Sequence, residues 1–222
     1  MLSKKTVFPG EKISNNKNEE FTYGKGTFLR ENAICSAYFG YPVITDQLIT
    51  AKPKFSHRYV PEVGDVVIGR VSQIYNKKWK LEMNSEMETL LGLGSIILPG
   101  VAQRRKSEAD QVEMRNIFKL NDLIVCEVQK INKSGSASLH TRSEKYGKLK
   151  DGILIKILPN NFTEMNSRFV RDKQLLIICG VNGFIWISTT ENYAAIPVIK
   201  KKIEESVENN QKIDIYRILD EI

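Results

Sequence analysis

Histidine, cysteine and long apolar runs are all scarce in this sequence of 222 residues. The two histidines, His57 and His140, stand in no motif for metal binding or acid–base catalysis. The three cysteines, Cys35, Cys126 and Cys179, lie far apart among apolar residues, which predicts buried reduced thiols rather than a CxxC metal site or a disulfide framework. No stretch approaches the roughly 18 apolar residues of a membrane-spanning helix, and the N-terminus lacks the apolar core of a signal peptide. We therefore expect a soluble intracellular protein without a membrane partner.

Groupings typical of hydrolases are also missing from the sequence. No serine stands in a nucleophile elbow, and no DxD or DEDD cluster offers paired carboxylates for two-metal phosphodiester cleavage. The pairs Glu19-Glu20 and Glu204-Glu205 are more simply solvated charges. The sequence thus predicts no catalytic residue, no metal and no cofactor, and we expect a protein that is not an enzyme.

Positive charge is present but local. Lysine and arginine exceed aspartate and glutamate by 7, and no long segment is strongly basic throughout. The excess is concentrated in short clusters, Lys77-Lys78, Arg104-Arg105-Lys106 and Lys200-Lys201-Lys202. Such clusters suit a polyanionic partner without requiring one.

A chain of this length has room for two or three small modules. Residues 1–58 contain the turns Pro9-Gly10 and Gly24-Lys25-Gly26 and a β-prone segment from Ile34 to Ile49, which predict an N-terminal β domain. The polar stretch from Lys12 to Glu20 is expected to be a loop or local insertion.

Residues 59–143 predict a five-stranded barrel. Expected strands are the segment from Val66 to Ile74, the alternating segment around Trp79, Leu81 and Met83, and the runs 90–98, 123–131 and 137–140. A capping box at residues 107–110 and the spacing of Met114, Ile117 and Phe118 predict a short helix between the third and fourth strands. Five strands with a helix in that place are the OB arrangement, which binds single-stranded nucleic acid on one face.

Residues 144–222 predict an α+β part. The strand 152–157 precedes two β-rich runs, 175–179 and 184–188, which Gly180-Val181-Asn182-Gly183 joins as a hairpin turn. After Pro197, the spacing of Ile199, Ile203 and Val207 predicts a helix on this sheet, with Lys200 to Lys202 in solvent. A second helix with Ile215, Ile218 and Leu219 inside is expected to follow.

Several segments resemble the eukaryotic ribosomal RNA-processing protein four family of exosome cap subunits. In the barrel these are residues 64–71 (GDVVIGRV), 79–82 (WKLE) with Asn84-Ser85, Arg104-Arg105 with 113–115 (EMR), 138–143 (SLHTRS) and 145–149 (KYGKL). Outside it, residues 7–11 (VFPGE), 24–28 (GKGTF) and 180–183 (GVNG) resemble the family's N-terminal entry, its Gly-His-Gly-Thr-aromatic signature and its KH-domain motif. Lys25 stands where the family has histidine.

The resemblance implies an N-terminal β domain, an S1-type OB barrel and a divergent KH domain. It implies a non-catalytic subunit that stabilises a ring of RNase PH-like proteins, contacts other cap subunits and guides single-stranded RNA into the ring for 3′-to-5′ processing and decay. The implied location is the nucleus, including the nucleolus, and the cytoplasm.

Candidate RNA-binding residues are Lys77, Lys78, Trp79, Arg104, Arg105, Lys106, His140, Arg142, Lys145 and Lys148. Trp79 can stack a base beside two ammonium groups, but its alternation with Leu81 and Met83 also fits a barrel-core position. The run 104–106 fits either RNA phosphate or a solvated face. His140 and Arg142 share one face of a strand and can serve RNA or a carboxylate of a protein partner.

The motif Gly180, Asn182 and Gly183 invites comparison with the loop by which KH domains clamp RNA. That clamp lies between two helices, whereas strand-forming residues flank this one and it carries no cation. A structural turn is therefore favoured.

Three other functions remain as alternatives. They are an S1-containing nuclease, a translation-associated S1 protein and the sister cap subunit, which also combines S1 and KH domains. Arg104-Arg105 and the segment 138–143 argue against the sister subunit.

Overall fold

The structure, a computed structural model, describes residues 6–15, 21–54, 58–96, 114–159, 161–163, 165, 167–172, 174–209 and 211–221. It divides into two compact units, Met1–His57 and Arg58–Ile222.

The first unit is made of short strands. These are β1 (Lys12–Asn15), β2 (Thr22–Tyr23), β3 (Thr27–Arg30), β4 (Ala33–Ser36), β5 (Gly40–Thr45) and β6 (Leu48–Pro53). They form two three-stranded sheets, in the orders β1-β4-β3 and β2-β6-β5. Ile34 and Ile49 are completely buried. The expectation of a loop from Lys12 to Glu20 is wrong at its start, because β1 pairs with β4 there.

The second unit begins with a closed barrel. Its strands are β7 (Val66–Tyr75), β8 (Lys78–Glu82), β9 (Glu88–Ile96), β10 (Leu123–Ile131) and β11 (Ser136–Thr141). The order β11-β9-β8-β7-β10 is closed by pairing of β10 with β11, and β9 and β11 run parallel. This is the OB arrangement that the sequence predicted, and it is confirmed.

Alternating residues of all five strands fill the barrel. Val71, Trp79, Leu91 and Leu139 are completely buried in one apolar cluster. A short helix, α1 (Met114–Ile117), adds Met114 and is followed by Phe118, which packs on Trp79. The predicted helix is therefore present at its C-terminal end, while its capping box lies outside the described residues.

The C-terminal part is an α+β layer on the barrel. Its elements are β12 (Gly147–Lys148), β13 (Gly152–Lys156), β14 (Phe169–Asp172), β15 (Leu175–Cys179), β16 (Phe184–Thr189), α2 (Ala195–Glu208) and α3 (Ile215–Asp220). The strand β12 pairs with β10 of the barrel, and the other four strands form an antiparallel sheet in the order β13-β16-β15-β14. A mainly β fold with an α+β C-terminal part is confirmed.

This sheet is buried on both faces, which explains its unbroken apolar runs. On one face, Ile177, Ile185 and Ile187 pack against α2 and α3. On the other, Ile178 and Trp186 pack against Ile68 and Val125 of the barrel. The sheet therefore has the helices on one side and the barrel on the other.

The two predicted C-terminal helices are confirmed, although the first begins earlier than the sequence predicted. Helix α2 begins at Ala195, two residues before Pro197, because proline is tolerated in the first turn of a helix. Helix α3 begins after Asp214, whose Oδ1 accepts hydrogen bonds from the backbone N–H groups of Tyr216 and Arg217. None of the helices in the described ranges is long and apolar enough to cross a membrane.

Candidate nucleic-acid interface

The tip of the β7–β8 hairpin carries two exposed lysines. Asn76 and Lys77 have φ of 46° and 59°, which is the backbone of a two-residue type I′ turn. The carbonyl of Lys77 accepts a hydrogen bond of 2.9 Å from the N–H of Leu93. Because β9 holds the turn in this way, Lys77 and Lys78 stand beside the second half of that strand.

Trp79 lies inside the barrel. Its side chain is completely buried, its Nε1–H donates to the carbonyl of Phe118 at 3.1 Å, and the two rings meet edge to face at 5.2 Å. A base cannot stack on a ring that is enclosed in this way. Of the two alternatives, the structure therefore has the barrel-core position, and Trp79 is withdrawn from the candidate RNA-contacting residues.

The end of β11 brings Arg142 to the same strand as Lys77. Thr141 pairs with Ile96, three residues along β9 from Leu93, or about 10 Å at the usual rise of a strand. Arg142 is exposed immediately after that pair. We call Lys77, Lys78 and Arg142 the basic rim. No ion pair with a described residue involves Lys77 or Arg142.

His140 faces a carboxylate instead of solvent. Its Nε2 lies 3.7 Å from Oε1 of Glu127 on β10, and the hydroxyl of Tyr146 donates to the other oxygen of that carboxylate. Burial, followed by the hydrogen bond to Glu127, raises the pKa of Tyr146. His140 and Arg142 thus have different surroundings, although both were expected on one face.

Lys145 and Lys148 lie on the segment that follows β11. Lys148 pairs with Ile124 of β10, and its Nζ is 2.8 Å from Oδ2 of Asp122. Lys145 is exposed in the preceding turn. Since β11 pairs with residues 127–131 of β10 and β12 pairs with residues 124 and 125 on the same edge, both lysines follow Arg142 along that edge. Lys145 and Lys148 therefore remain candidate residues beside the basic rim, and Lys148 is held in an ion pair. Arg104, Arg105 and Lys106 lie outside the described residues.

A second polar cluster on the barrel surface was missed by the sequence reasoning. Nζ of Lys80 lies 3.0 Å from Oε1 of Glu88, and the hydroxyl of Tyr75 donates to the same oxygen at 3.2 Å. The hydrogen bond from Lys80 is the main reason that the pKa of Glu88 is lowered. The sequence contained a signal for this cluster. A two-residue turn at Asn76 and Lys77 pairs Tyr75 with Lys78, whose side chain points outward, and alternation puts Lys80 on the same outward face.

Beside this cluster runs a groove of about 320 Å³, next to the connection between β8 and β9. Its lining includes Ser72, Lys80, Ser85, Met87 and Glu88. Lys77 and Lys78 of the basic rim, the polar cluster and the groove all belong to the part of the barrel formed by β7, β8 and β9.

The turn at Gly180 to Gly183 faces the barrel and not solvent. Asn182 is completely buried, and its carboxamide hydrogen-bonds the backbone of Ile68 and Met83 in the barrel. Gly183 has φ of 84°, but Asn182 does not have positive φ. The turn is thus a type I turn followed by a glycine bulge, which differs from the two-residue turn with positive φ at both positions that an Asn-Gly pair often forms between strands.

Within the described part of the chain, no group of three or more His, Cys, Asp or Glu side chains is placed to hold a metal ion. All three cysteines are buried and free.

Comparison with known proteins shows which proteins this chain is similar to. The family profile of the RRP4 S1 domain matches residues 58–130. The Exosome complex component rrp4 of Schizosaccharomyces pombe is 36% identical over 214 residues, which cover 94% of this chain and 64% of that protein. The mouse Exosome complex component RRP4 is 38% identical, covering 86% of this chain and 64% of that protein. The chain thus spans less than two thirds of the length of these relatives.

More distant similarity extends to archaea and to solved structures. The Exosome complex component Rrp4 of Methanothermobacter thermautotrophicus is 29% identical over 83% of this chain and 57% of that protein. A crystal structure described as that of an exosome complex RNA-binding protein aligns with a TM-score of 0.47 and 22% identity, covering 69% of this chain and 97% of that chain. Over most of its length this chain is therefore similar in sequence to the eukaryotic Rrp4 components of the exosome.

Proposed function

We propose that this protein is a non-catalytic, RNA-binding cap subunit of the RNA exosome. Its barrel holds single-stranded RNA by electrostatic contacts and guides it toward a ring of RNase PH-like subunits, which it stabilises together with other cap subunits. The proposal includes a location in the nucleus, the nucleolus and the cytoplasm. It draws on the names of the relatives and on the resemblance of the sequence motifs.

The observation that carries the RNA-binding part of the proposal is the basic rim. Lys77 and Arg142 come from opposite ends of the barrel sequence and stand along one strand, β9. The points of β9 beside which they stand, Leu93 and Ile96, are about 10 Å apart along the strand, which is on the scale of one to two phosphate spacings of an extended single strand and suits backbone binding without base recognition.

The same proposal divides the chain into an N-terminal β domain at 1–58, an S1 domain at 59–143 and a KH-like domain at 144–222. Separate apolar clusters in the barrel and in the C-terminal sheet support the second boundary. The role assigned to Gly180, Asn182 and Gly183 is that of a turn that docks these two domains.

The test is a titration of RNA binding at several salt concentrations, in which binding is measured by the fluorescence anisotropy of a labelled oligouridylate. Lys77→Gln and Arg142→Gln are each expected to weaken binding roughly fivefold, the equivalent of about 1 kcal/mol for a surface ion pair. Each should also reduce the slope of log K against log salt by about 0.7, because one phosphate contact is lost.

The matched control is Lys201→Gln on α2. Lys201 is a highly exposed lysine that pairs with Glu205 one turn later, and it lies away from the barrel. If the control weakens binding as much as the rim variants do, the rim is not the binding site.

Catalysis is tested on the same protein. Labelled RNA incubated with the chain, with and without phosphate or magnesium, should remain intact. Shortening of the RNA that depends on the folded chain would favour the nuclease alternative. Affinity purification should recover ring subunits, and recovery of ribosomes instead would favour a translation-associated protein.

A further inference from the structure

The groove beside the β8–β9 connection has the size and lining of a site for one nucleotide. Its volume of about 320 Å³ lies at the lower end of the range for small-molecule sites. It lies in the second unit, and one wall is formed by the ion-paired side chains of Lys80 and Glu88.

The chemistry of the lining is mixed in the way that a nucleoside requires. Met87 offers a thioether that adapts to a flat base. Ser85 accepts a hydrogen bond at Oγ from the N–H of Met87, so its own O–H is a donor toward a ribose hydroxyl. Ser72 donates from Oγ to the carbonyl of Lys80 and keeps acceptor capacity on the same oxygen.

Glu88 occupies the place where a phosphate would bind. Its Oε1 atom accepts from both Lys80 and Tyr75, at 3.0 and 3.2 Å. The side chains of Lys80 and Glu88 are 38% and 41% exposed, and an ion pair of that exposure contributes little to stability. A phosphate can therefore displace the carboxylate. Tyr75 is not part of the groove lining, but its hydroxyl reaches Glu88 from beside the groove, and its ring, which is 37% exposed, is then available to stack a base.

We propose that this groove takes one nucleotide of a bound RNA strand, with its phosphate on Lys80 and its base against Tyr75, and that Glu88 competes with that phosphate. The inference rests on the proposed function, because it requires an RNA strand on the barrel. It predicts a modest affinity of the barrel for RNA, because the site carries its own competing anion.

The decisive variant is Glu88→Gln, which keeps the shape of the side chain and removes its charge. RNA binding at low salt should become roughly threefold to fivefold tighter, since one phosphate contact no longer meets competition. Lys80→Gln should weaken binding by a similar factor, and in the double variant the gain from Glu88→Gln should be lost. The control is Glu208→Gln, which removes an exposed carboxylate of α2 in the same unit, away from the groove and from the basic rim.

Photo-crosslinking locates the nucleotide directly. An oligonucleotide with 4-thiouridine should give adducts on Tyr75 or on residues 83–88, and Lys80→Gln should reduce them. Adducts confined to other parts of the chain would overturn the proposal.

The outcomes separate the two levels of inference. If Glu88→Gln binds RNA no more tightly than Glu208→Gln, or if Lys80→Gln binds normally while Lys77→Gln is weakened, the groove is not a nucleotide site and the proposed function stands. If the unaltered protein binds no RNA at any salt concentration, the RNA-binding function itself fails.

Discussion

The carboxamide of Asn182 hydrogen-bonds both backbone groups of Ile68, a residue 114 positions earlier in the chain. Its Oδ1 accepts from the N–H of Ile68 at 3.2 Å, and its Nδ2 donates to the carbonyl at 2.8 Å. Nδ2 also donates to the carbonyl of Met83 at 3.0 Å. One side chain from the C-terminal sheet thus satisfies backbone groups of the barrel that no water reaches.

Replacing Asn182 with alanine should lower the free energy of unfolding by about 2–4 kcal/mol, because buried backbone groups lose their partners. Asn182→Asp should cost more, since a carboxylate would face the carbonyl oxygens of Ile68 and Met83. Urea unfolding followed by circular dichroism measures both changes.

The matched control for these variants is Asn192→Ala. Asn192 is an exposed asparagine of the same C-terminal part, and its loss should change the free energy of unfolding by less than about 0.5 kcal/mol. An effect of Asn182→Ala as small as this would mean that the carboxamide is not what holds the sheet to the barrel.

Trp79→Phe should destabilise the protein without changing RNA binding. The smaller ring removes the donor to the carbonyl of Phe118 and leaves space in the barrel, at a cost of about 2–3 kcal/mol. Thermal unfolding measures the loss, and oligouridylate binding well below the unfolding temperature should equal that of the unaltered protein. A weaker affinity at unchanged stability would restore Trp79 as a base-stacking residue.

The cysteines should be protected from thiol reagents in the folded protein. Burial raises the pKa of Cys179 to about 12 and also raises the pKa of Cys126. At pH 8 a thiol with that pKa holds roughly a thousandfold less thiolate than one with an ordinary value, and thiolate is the reactive form. Reaction with a disulfide reagent should therefore be slow until guanidinium is added. Rapid reaction of Cys126 or Cys179 without denaturant would show that these strands open readily.

The strands that the sequence predicted well are those with an unambiguous pattern. The bounds of β10 and β15 agree with the expected runs, because long apolar segments between turn residues leave few alternatives. The strand β14 was missed, since it is short and contains Arg171 and Asp172. It forms a strand because it pairs with its neighbour β15, and the pattern of its own four residues does not indicate that pairing.

The candidate site was predictable only in part. The exposure of Lys78 follows from alternation with Trp79, and that of Lys77 follows from its place in the turn. Alternation also places Trp79 with Leu81 inside, so the pattern already favoured the core position that the structure has. What the sequence does not contain is the pairing of Thr141 with Ile96, which depends on closure of the barrel and brings Arg142 to the rim.

Lys77→Gly should separate the stability of the hairpin from its charge. A lysine with φ of 59° is in a backbone conformation that glycine adopts at lower cost, so the variant should be as stable as the unaltered protein or more stable by up to about 1 kcal/mol. RNA binding should nevertheless weaken as it does in Lys77→Gln. Urea unfolding and anisotropy on the same sample check both statements, and an unaltered affinity would remove Lys77 from the interface.

The two-residue turn at Asn76 and Lys77 also fixes the position of the hairpin tip relative to the barrel. A connection this short has no slack, and the hydrogen bond to Leu93 ties it to its neighbouring strand. The ammonium group can move only as far as its own methylene chain allows. A polymer that binds this ammonium group is consequently held at a fixed distance from the barrel strands. Lengthening the turn by one residue would remove that constraint on the distance.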